Sequence, residues 1–460
     1  FNSSEALGSD LAVSIEGHTV TATCDALLSC VASHTVNASI DSGGSVGFTI
    51  VYDDVAGNDG TAVSSTTDGS SASIDLTAPT LTTVSMVSDN AGDATLANAG
   101  DTVTVTIVAS EAIEAPTVTI VGVSVESSAV VGSGSSWTAT HTVVSGDTEG
   151  VAALSVAYVD VVGNGGVGVT AVTDTSGVTI DLTVPTLTGV SLSSSPVPAG
   201  PGGTITLAFN SSEPLGSDLA VTIEGHTVTA TCDASLRCVA SYTVNATTDS
   251  GGNISFTIAY DDVAGNDGTP VSSTSDGSSA SIDLTAPTLT TVSIASDNVG
   301  NTTLANAGDT VTVTIVASEA IEAPTVTVGG RPCSVSGTGS TWTAYRFVVA
   351  GEAEVSLSLS VSFEDKAGNS GSEVTSVTDT SSVTIDLTAP TLTSVSISSN
   401  NTADTSLANA GDMITVTFAA SEAVVPLPTV LIAGHTAAVT SMGGLSYAAT
   451  LVVADSGVSE

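Results

Sequence analysis

Apolar and polar residues alternate along most of this chain, which is the pattern of half-buried β-strands. Residues 102–108, with the sequence TVTVTIV, illustrate it, and their side chains are the β-branched types that fit a pleated sheet. The sequence contains no long segment with helical periodicity and no apolar run as long as a membrane span. The pattern therefore predicts an all-β protein without a membrane-spanning segment in this sequence.

The motif D-L-T-x-P-T-L occurs four times and divides the chain into units of similar length. Its prolines, Pro79, Pro185, Pro287 and Pro390, lie 106, 102 and 103 residues apart by subtraction. Such a period indicates tandem domains, because solenoid units are only about 20 to 50 residues long. We therefore predict five modules, here called the first to fifth repeats: residues 1–75, 76–181, 182–283, 284–386 and 387–460.

The first and fifth repeats are expected to be incomplete parts of a longer array. Phe1 aligns with Phe209, well inside the third repeat, and the chain ends before a counterpart of the later Tyr-Asp-Asp segment. Residues 1–24 recur almost unchanged at 209–232, and residues 96–119 at 304–327, both 208 residues further on. The duplicated unit is therefore a pair of repeats.

The third repeat predicts the architecture most clearly. Strands are expected over residues 186–194, 204–210, 219–223, 226–232, 239–244 and 254–260, followed by a last strand that runs toward Ile282. About seven short strands separated by Gly, Pro, Asn and Asp favour an Ig-like β-sandwich. Five such sandwiches in series predict an extended rod. The aromatic residue that ends the penultimate strand is expected in each core: Tyr52, Tyr158, Tyr260 and Phe363.

The charge of the chain excludes one class of partner. Lys and Arg total 4 against 47 Asp and Glu, which gives a formal net charge of -43. Such a surface repels nucleic acid. An acidic chain with few aromatic residues can be disordered, but a hydrophobic content of 41% and the regular alternation favour a folded protein.

Paired cysteines indicate an oxidising environment. Cys24 and Cys30 recur as Cys232 and Cys238, and five residues separate the members of each pair. A disulfide across a hairpin is the favoured interpretation, because a zinc site would need further ligands and only His18 or His226 lies near in sequence. Cys333 has no evident partner, so it is either a buried inert thiol or bonded outside this sequence.

Sequons for N-glycosylation add to the prediction of an extracellular or cell-surface location. The motif Asn-x-Ser/Thr occurs at Asn2, Asn37, Asn210, Asn245, Asn253, Asn301 and Asn400. Together with the paired cysteines, these acceptors favour a secreted glycoprotein.

Oxygen-bearing side chains recur at three positions of each repeat. An Asp closes each linker, a Glu follows the second strand, and Asp-x-x-Gly-Asn opens the turn before the last strand. In an Ig-like topology these positions share one end of the sandwich, where oxygen ligands suit Ca²⁺. The candidate ligands are Asp75, Glu111, Asp160, Asn164, Asp181, Glu213, Asp261, Asp262, Asn266, Asp283, Glu319, Asp365, Asn369, Asp386 and Glu422. The alternative is that the Asp and Asn residues only stabilise their own turns.

The combination of Asp-x-Ala-Gly-Asn with Ile-Asp-Leu-Thr-Ala-Pro resembles the tandem Ig-like, cadherin-like repeats of giant bacterial surface adhesins. The resemblance covers every repeat and implies a calcium-stiffened extracellular rod. It assigns the linker Asp and the turn residues as calcium ligands, whereas the Glu residues are added on the strand topology. The paired cysteines and sequons depart from the bacterial pattern and suit a eukaryotic surface fibril.

No catalytic motif is present, and the histidines His18, His34, His141, His226 and His435 are scattered. We therefore predict a structural protein and not an enzyme: an extracellular rod or fibril that self-associates or contacts neighbouring surface proteins. The alternative is the stalk of a cell-surface adhesin whose ligand-binding tip lies outside this sequence. An adhesin stalk predicts single threads, whereas a fibril subunit predicts multi-chain assemblies.

Overall fold

The computed structural model describes residues 1–454, so the last residues of the fifth repeat, 455–460, lie outside the described part. These residues form β-strands, turns and one short 3-10 helix, Ser127–Ala129, which confirms the all-β prediction. The chain divides into two compact units. The first unit contains Phe1–Val190, Ala208–Val239 and Phe256–Ser273. The second unit contains Ser191–Leu207, Ala240–Ser255 and Thr274–Glu460. This division does not follow the predicted repeat boundaries, which remain a prediction.

The second repeat shows how the strands form a sandwich. One sheet has the order Val130–Ser133, Ser136–Thr142, Thr102–Ala109, Leu81–Ser88, and a second has the order Val123–Ser124, Thr117–Ile120, Leu154–Ala157. Val169 adds a single bridge to Val156 at the free edge of the second sheet. We letter the long strands along the chain: A is Leu81–Ser88, B is Thr102–Ala109, C is Thr117–Ile120, D is Val130–Ser133, E is Ser136–Thr142 and F is Leu154–Ala157. The first sheet then contains A, B, E and D and the second contains C and F, as in an Ig-like sandwich.

The fourth repeat has the same two sheets. Its first sheet has the order Leu289–Ser296, Thr310–Ala317, Thr341–Phe347, Ser334–Thr338, and its second has the order Arg331–Pro332, Thr325–Val328, Leu359–Ser362. Each of the two repeats also has a short parallel pair, Leu96–Ala97 with Thr179–Ile180 and Leu304–Ala305 with Thr384–Ile385. The second repeat contains one further strand, Gly150–Val151.

The first and fifth repeats contain parts of this arrangement. The first repeat has the strands Ala12–Ile15, His18–Val20, Ala22–Cys24, Cys30–Ala32, Gly44–Ser45, Phe48–Val51 and Ser73–Ile74. The fifth has Leu392–Ser399, Met413–Ala420, Leu431–Ile432, His435–Thr436, Ala438–Gly443 and Ser446–Val452.

The third repeat confirms most of the predicted strands. It contains Leu187–Ser195, Thr204–Ser211, Ala220–Ile223, His226–Val228, Ala230–Cys232, Arg237–Thr243, Gly252–Asn253, Phe256–Ala259 and Ser281–Ile282. The expected long last strand is wrong: Val271 makes one bridge to Ile258, and regular pairing resumes only at Ser281. The intervening sequence is rich in Ser, Gly and Asp, which favour turns over a continuous ladder.

The cores lie between the sheets, as the alternation predicts. Along Thr102–Ala109 every second residue is buried, and Val103, Val105 and Ile107 have no exposed surface. The aromatic residue of the penultimate strand is buried in three repeats, as Tyr158, Tyr260 and Phe363. Gly268 lies flat on Tyr260, where a Cβ atom would stand 2.1 Å from a ring carbon, so only glycine fits there.

Both predicted disulfides are present. Cys24 bonds Cys30 and Cys232 bonds Cys238, each closing the hairpin that leads into the next strand. Cys333 is a free, half-buried thiol that packs on the core of the fourth repeat, and burial raises its pKa. This environment is that of an inert thiol, while a bond to a residue outside this sequence stays untested. No helix within residues 1–454 is long and apolar enough to span a membrane.

Candidate functional site at the joints between repeats

The linker Asp turns the chain at each joint. Asp75 Oδ1 accepts a hydrogen bond from the backbone N–H of Thr77 at 2.9 Å, and this Asx turn directs the D-L-T segment into the following proline. The same bond forms at Asp181, Asp283 and Asp386. The recurrent motif is therefore a local structural device as well as a source of carboxylates.

The Asp-x-x-Gly-Asn turn is held by its own side chains. Asp160 Oδ1 accepts hydrogen bonds from the backbone N–H groups of Val162, Gly163 and Asn164 at 2.7 to 2.9 Å. Gly163 has a φ of 104°, a conformation that glycine adopts without strain. Asp160 is 1% exposed, and burial alone would raise the pKa of its carboxyl. A hydrogen bond from the Asn164 side chain and these backbone bonds outweigh burial and lower that pKa. The turn thus favours an ionised carboxylate at a buried position.

The Asn that ends this turn binds the linker of the preceding repeat. Asn164 Nδ2 donates to Asp160 Oδ2 at 2.7 Å and to the backbone carbonyl of Asp75 at 3.1 Å. Asn266 and Asn369 make the same pair of bonds, to the carbonyls of Asp181 and Asp283 respectively. We predicted these residues as metal ligands, and the structure gives their amide nitrogens another role, that of fastening the linker to the turn.

Three carboxylates converge at each of three joints, as the sequence predicted. We call these sets the joint clusters: Asp75 with Glu111 and Asp160, Asp181 with Glu213 and Asp262, and Asp283 with Glu319 and Asp365. In each cluster the carboxylate oxygens lie within 4.8 Å of one another. The Asp of the turn is buried and the Glu is half-buried in all three. The donors are all oxygens, which suits a hard divalent cation such as Ca²⁺.

The clusters carry uncompensated negative charge. Burial raises the pKa of Glu213, and the neighbouring charges of Asp181 and Asp262 raise it further. Burial likewise raises the pKa of Glu319, with Asp283 and Asp365 adding to the shift. Protons therefore bind these Glu residues more readily than usual, as expected where like charges crowd together.

The joint between the fourth and fifth repeats contains two of the three carboxylates. Burial and the charge of Asp386 raise the pKa of Glu422. The Oε1 atom of Glu422 is buried and has no hydrogen-bond partner within residues 1–454. A buried carboxylate oxygen without a donor is costly unless a proton or a cation satisfies it.

Asp261 is not brought into a joint cluster, although the sequence predicted it as a ligand. Its Oδ1 atom instead accepts the backbone N–H of Asp218 at 3.1 Å, and Asp53 makes the equivalent bond to Asp10 at 2.9 Å. Adjacent residues in an extended segment point to opposite sides. Because Asp262 faces the cluster, Asp261 supports the loop on the other side.

Sequence reasoning missed a second set of contacts at the joints. Asn90 Nδ2 donates at 2.8 Å to the backbone carbonyl of Ala264, which lies in the Asp turn of the next repeat. In the corresponding turn of the third repeat, Gly200 packs on Ala367 so closely that a Cβ atom would stand 2.1 Å from the Ala367 carbonyl oxygen. Little in the sequence indicated these contacts, because the turns that contain Asn90 and Gly200 share no motif.

A second missed feature holds the loop that follows the fifth long strand of the sandwich, strand E. In each case a side chain within two residues of the end of a strand binds an acidic residue six or seven positions later. We call these pairs the loop clasps: His34 with Asp41, His141 with Asp147, Tyr242 with Asp249, and Arg346 with Glu352. The acid also accepts a backbone N–H of the loop, as Asp147 does from Val144 at 2.9 Å. In each loop clasp, one carboxylate therefore binds both the side chain near the end of the strand and the backbone of the loop.

The glycosylation acceptors are placed at the surface in most cases. Asn210 is half-buried, and the others are exposed: Asn2, Asn37, Asn245, Asn253, Asn301 and Asn400. Their side chains are therefore accessible, while modification itself stays a prediction.

Comparison with known proteins adds little to this description. No family model and no curated protein matches the sequence. Among solved structures, the I9–I11 tandem of titin is 14% identical, covers 64% of this chain and 95% of its own, and has a TM-score of 0.28. The Escherichia coli adhesin FdeC is 14% identical, covers 68% and 100%, and has a TM-score of 0.32. At such TM-scores neither likeness carries an argument, and the Ig-like assignment rests on the strand order.

Proposed function

We propose that this chain is an extracellular structural rod or fibril protein whose Ig-like repeats are stiffened by Ca²⁺ bound at the joint clusters. The observation that carries the proposal is the threefold recurrence of the same crowded carboxylates where a linker meets the next repeat. The Asn bridge already fastens the linker to the turn, as in Asn266 with Asp181. A cation held by ligands from both sides of the joint would restrict bending there.

The chemistry of the clusters supports Ca²⁺ over other cations. Ca²⁺ takes six to eight oxygen ligands with tolerant geometry, and three carboxylates with water supply such a set. Nitrogen or sulfur ligands, which transition metals prefer, are not among the groups that form the clusters. The raised pKa values of Glu213 and Glu319 indicate charge that a bound cation would stabilise. Disulfides and exposed acceptor asparagines support the extracellular location.

The test is calcium titration of the metal-free chain, read by thermal unfolding and by persistence length in electron micrographs. Calcium at a hundred times its Kd should stabilise each joint by about 2.7 kcal/mol and lengthen the persistence length. If EDTA and saturating calcium give the same melting temperature and the same persistence length, the carboxylates serve only their turns and the proposal fails.

A substitution that should stabilise the metal-free protein but weaken its stabilisation by calcium sharpens this test. Glu213→Gln removes one like charge from its cluster, so it should raise the melting temperature in EDTA and reduce the stabilisation by calcium. The matched control is Glu126→Gln, because Glu126 is exposed and belongs to no joint cluster. Equal effects of the two substitutions in both buffers would contradict a calcium role for Glu213.

A further inference from the structure

The loop clasp of the first repeat differs from the others because it contains two histidines. The Nε2 atom of His34 lies 2.9 Å from Asp41 Oδ2 and 3.0 Å from Oδ1. His18, on the neighbouring strand His18–Val20, places its own Nε2 atom 2.9 Å from Asp41 Oδ1. The two imidazoles stack with centroids 4.9 Å apart and an interplanar angle of 11°, so both present Nε2 to the same carboxylate.

We propose that His18, His34 and Asp41 form a Zn²⁺ site. Two imidazole nitrogens and one carboxylate are a ligand set that zinc uses, with water in the fourth position of a tetrahedron. The three ligand atoms lie within 4.8 Å of one another, and tetrahedral zinc with bonds of about 2.1 Å needs them about 3.4 Å apart. Small rotations of the three side chains would suffice.

The surroundings of Asp41 favour a metal ligand over a simple hydrogen-bond acceptor. The side chain of Asp41 is fully buried, that of His34 is 13% exposed and that of His18 is 35% exposed, which leaves one open side for water. The backbone N–H of Asn37 donates to Asp41 Oδ2 at 2.6 Å and orients the carboxylate. The chain has only four Lys and Arg residues, all beyond residue 200, so no such cation in this repeat competes for the site.

The other repeats explain why one zinc per chain is expected. Among residues 1–454, His141 pairs with one acid, Asp147, and the fourth clasp uses Arg346, which cannot ligate a metal. In the third repeat Tyr242 stands at the position of His34, 208 residues further on, and its hydroxyl donates to Asp249 at 2.6 Å. Within the described part of the chain, no other cluster joins two histidines to a carboxylate.

Tyr242 also supplies the decisive variant. His34→Tyr copies the third repeat, so the clasp keeps a donor for Asp41 while one zinc ligand is lost. Loss of a supporting hydrogen bond costs about 10- to 100-fold in metal affinity, so loss of a ligand should weaken binding by more than about 100-fold. His141→Gln is the control, because it alters a clasp that holds one histidine.

The experiment is titration of the full chain with ZnCl₂ at saturating CaCl₂, followed by calorimetry and by the histidine ring resonances in NMR spectra. Cys333→Ser is included in every protein so that the free thiol does not bind zinc. We expect one equivalent of zinc and shifts in two of the five histidines, with both effects lost in His34→Tyr and retained in His141→Gln. Absence of binding, binding that His34→Tyr leaves unchanged, or binding without histidine shifts would each overturn the proposal.

Discussion

The joint clusters and the loop clasps are both built on acidic residues, but they differ in how the charge is met. Each loop clasp pairs its acid with a side-chain donor, and the donor changes from His34 to His141, Tyr242 and Arg346. The joint clusters keep the same three acids. Backbone and Asn donors satisfy the Asp of the turn, but the Glu is partly buried beside two like charges, which raises the pKa of Glu213 and Glu319. A position that only has to hold a loop accepts any donor. Under the calcium proposal, the Glu is retained because a bound cation would offset these like charges.

Among substitutions that remove a donor from these sites, the largest loss of stability is expected at Arg346. Its guanidinium is 5% exposed and makes two bonds to Glu352, at 3.0 and 2.9 Å. Arg346→Met leaves Glu352 buried with the backbone N–H of Val349 and the more distant Arg331 as its partners, so the fourth repeat should lose about 3 to 5 kcal/mol of unfolding free energy. Hydrogen exchange of strand Thr310–Ala317 measures this locally.

The matched control for Arg346→Met is His141→Gln in the second repeat. Gln retains a donor for Asp147, so the loss should stay near about 1 kcal/mol, the usual size of one hydrogen bond. Equal losses in the two repeats would mean that the clasp does not depend on its ionic partner.

A smaller effect is expected at the Asn of the joint. Asn266→Ala removes one bond to Asp262 Oδ2 and one to the linker carbonyl of Asp181, so it should cost about 1 to 3 kcal/mol and loosen the linker. Asn58 offers the comparison, because within the described residues its amide donates to Asp54 Oδ2 and to no linker carbonyl. Asn58→Ala should therefore cost about 1 kcal/mol less. The check is thermal unfolding, together with hydrogen exchange at Thr183.

Sequence predicted the fold and part of the site for physical reasons that these residues illustrate. Alternation placed Val103, Val105 and Ile107 in the core, and strand topology placed Glu213 near Asp262. Sequence could not show which end of the Asn266 amide faces the linker, because only the surrounding hydrogen bonds decide that. Strict alternation could have separated Asp261 from Asp262.

The zinc proposal shows a second limit of sequence reasoning. His18 lies on a hairpin strand, whereas His34 and Asp41 lie beyond the strand Cys30–Ala32, so no spacing motif joins them. The search near the cysteines stopped at His18, because nothing in the linear pattern indicated that the chain after the strand Cys30–Ala32 would bring His34 onto the same carboxylate. The contact exists only once the hairpin Ala22–Cys24 with Cys30–Ala32 has formed.

The smallest expected effect concerns pH and distinguishes the clusters from the turns that support them. Glu213 and Glu319 have raised pKa values in the fold, so their ionised forms destabilise it. The destabilisation is fully present above the raised pKa and disappears as pH falls toward the ordinary Glu value of 4.5. Asp54 and Asp160 have lowered pKa values, so their contribution is lost only as pH falls below the ordinary Asp value of 3.8.

The test compares the wild type with the double variant Glu213→Gln/Glu319→Gln. In EDTA, acidification from neutral pH to just above 4.5 should raise the melting temperature of the wild type relative to that of the double variant. With calcium bound, the same carboxylates are stabilised as anions, so the sign of this difference should reverse. Comparing the wild type with the double variant isolates the contribution of Glu213 and Glu319, because every other side chain is the same in both proteins. A difference that keeps its sign with and without calcium would show that no cation reaches the clusters, and the contrast between joints and clasps would then reflect packing alone.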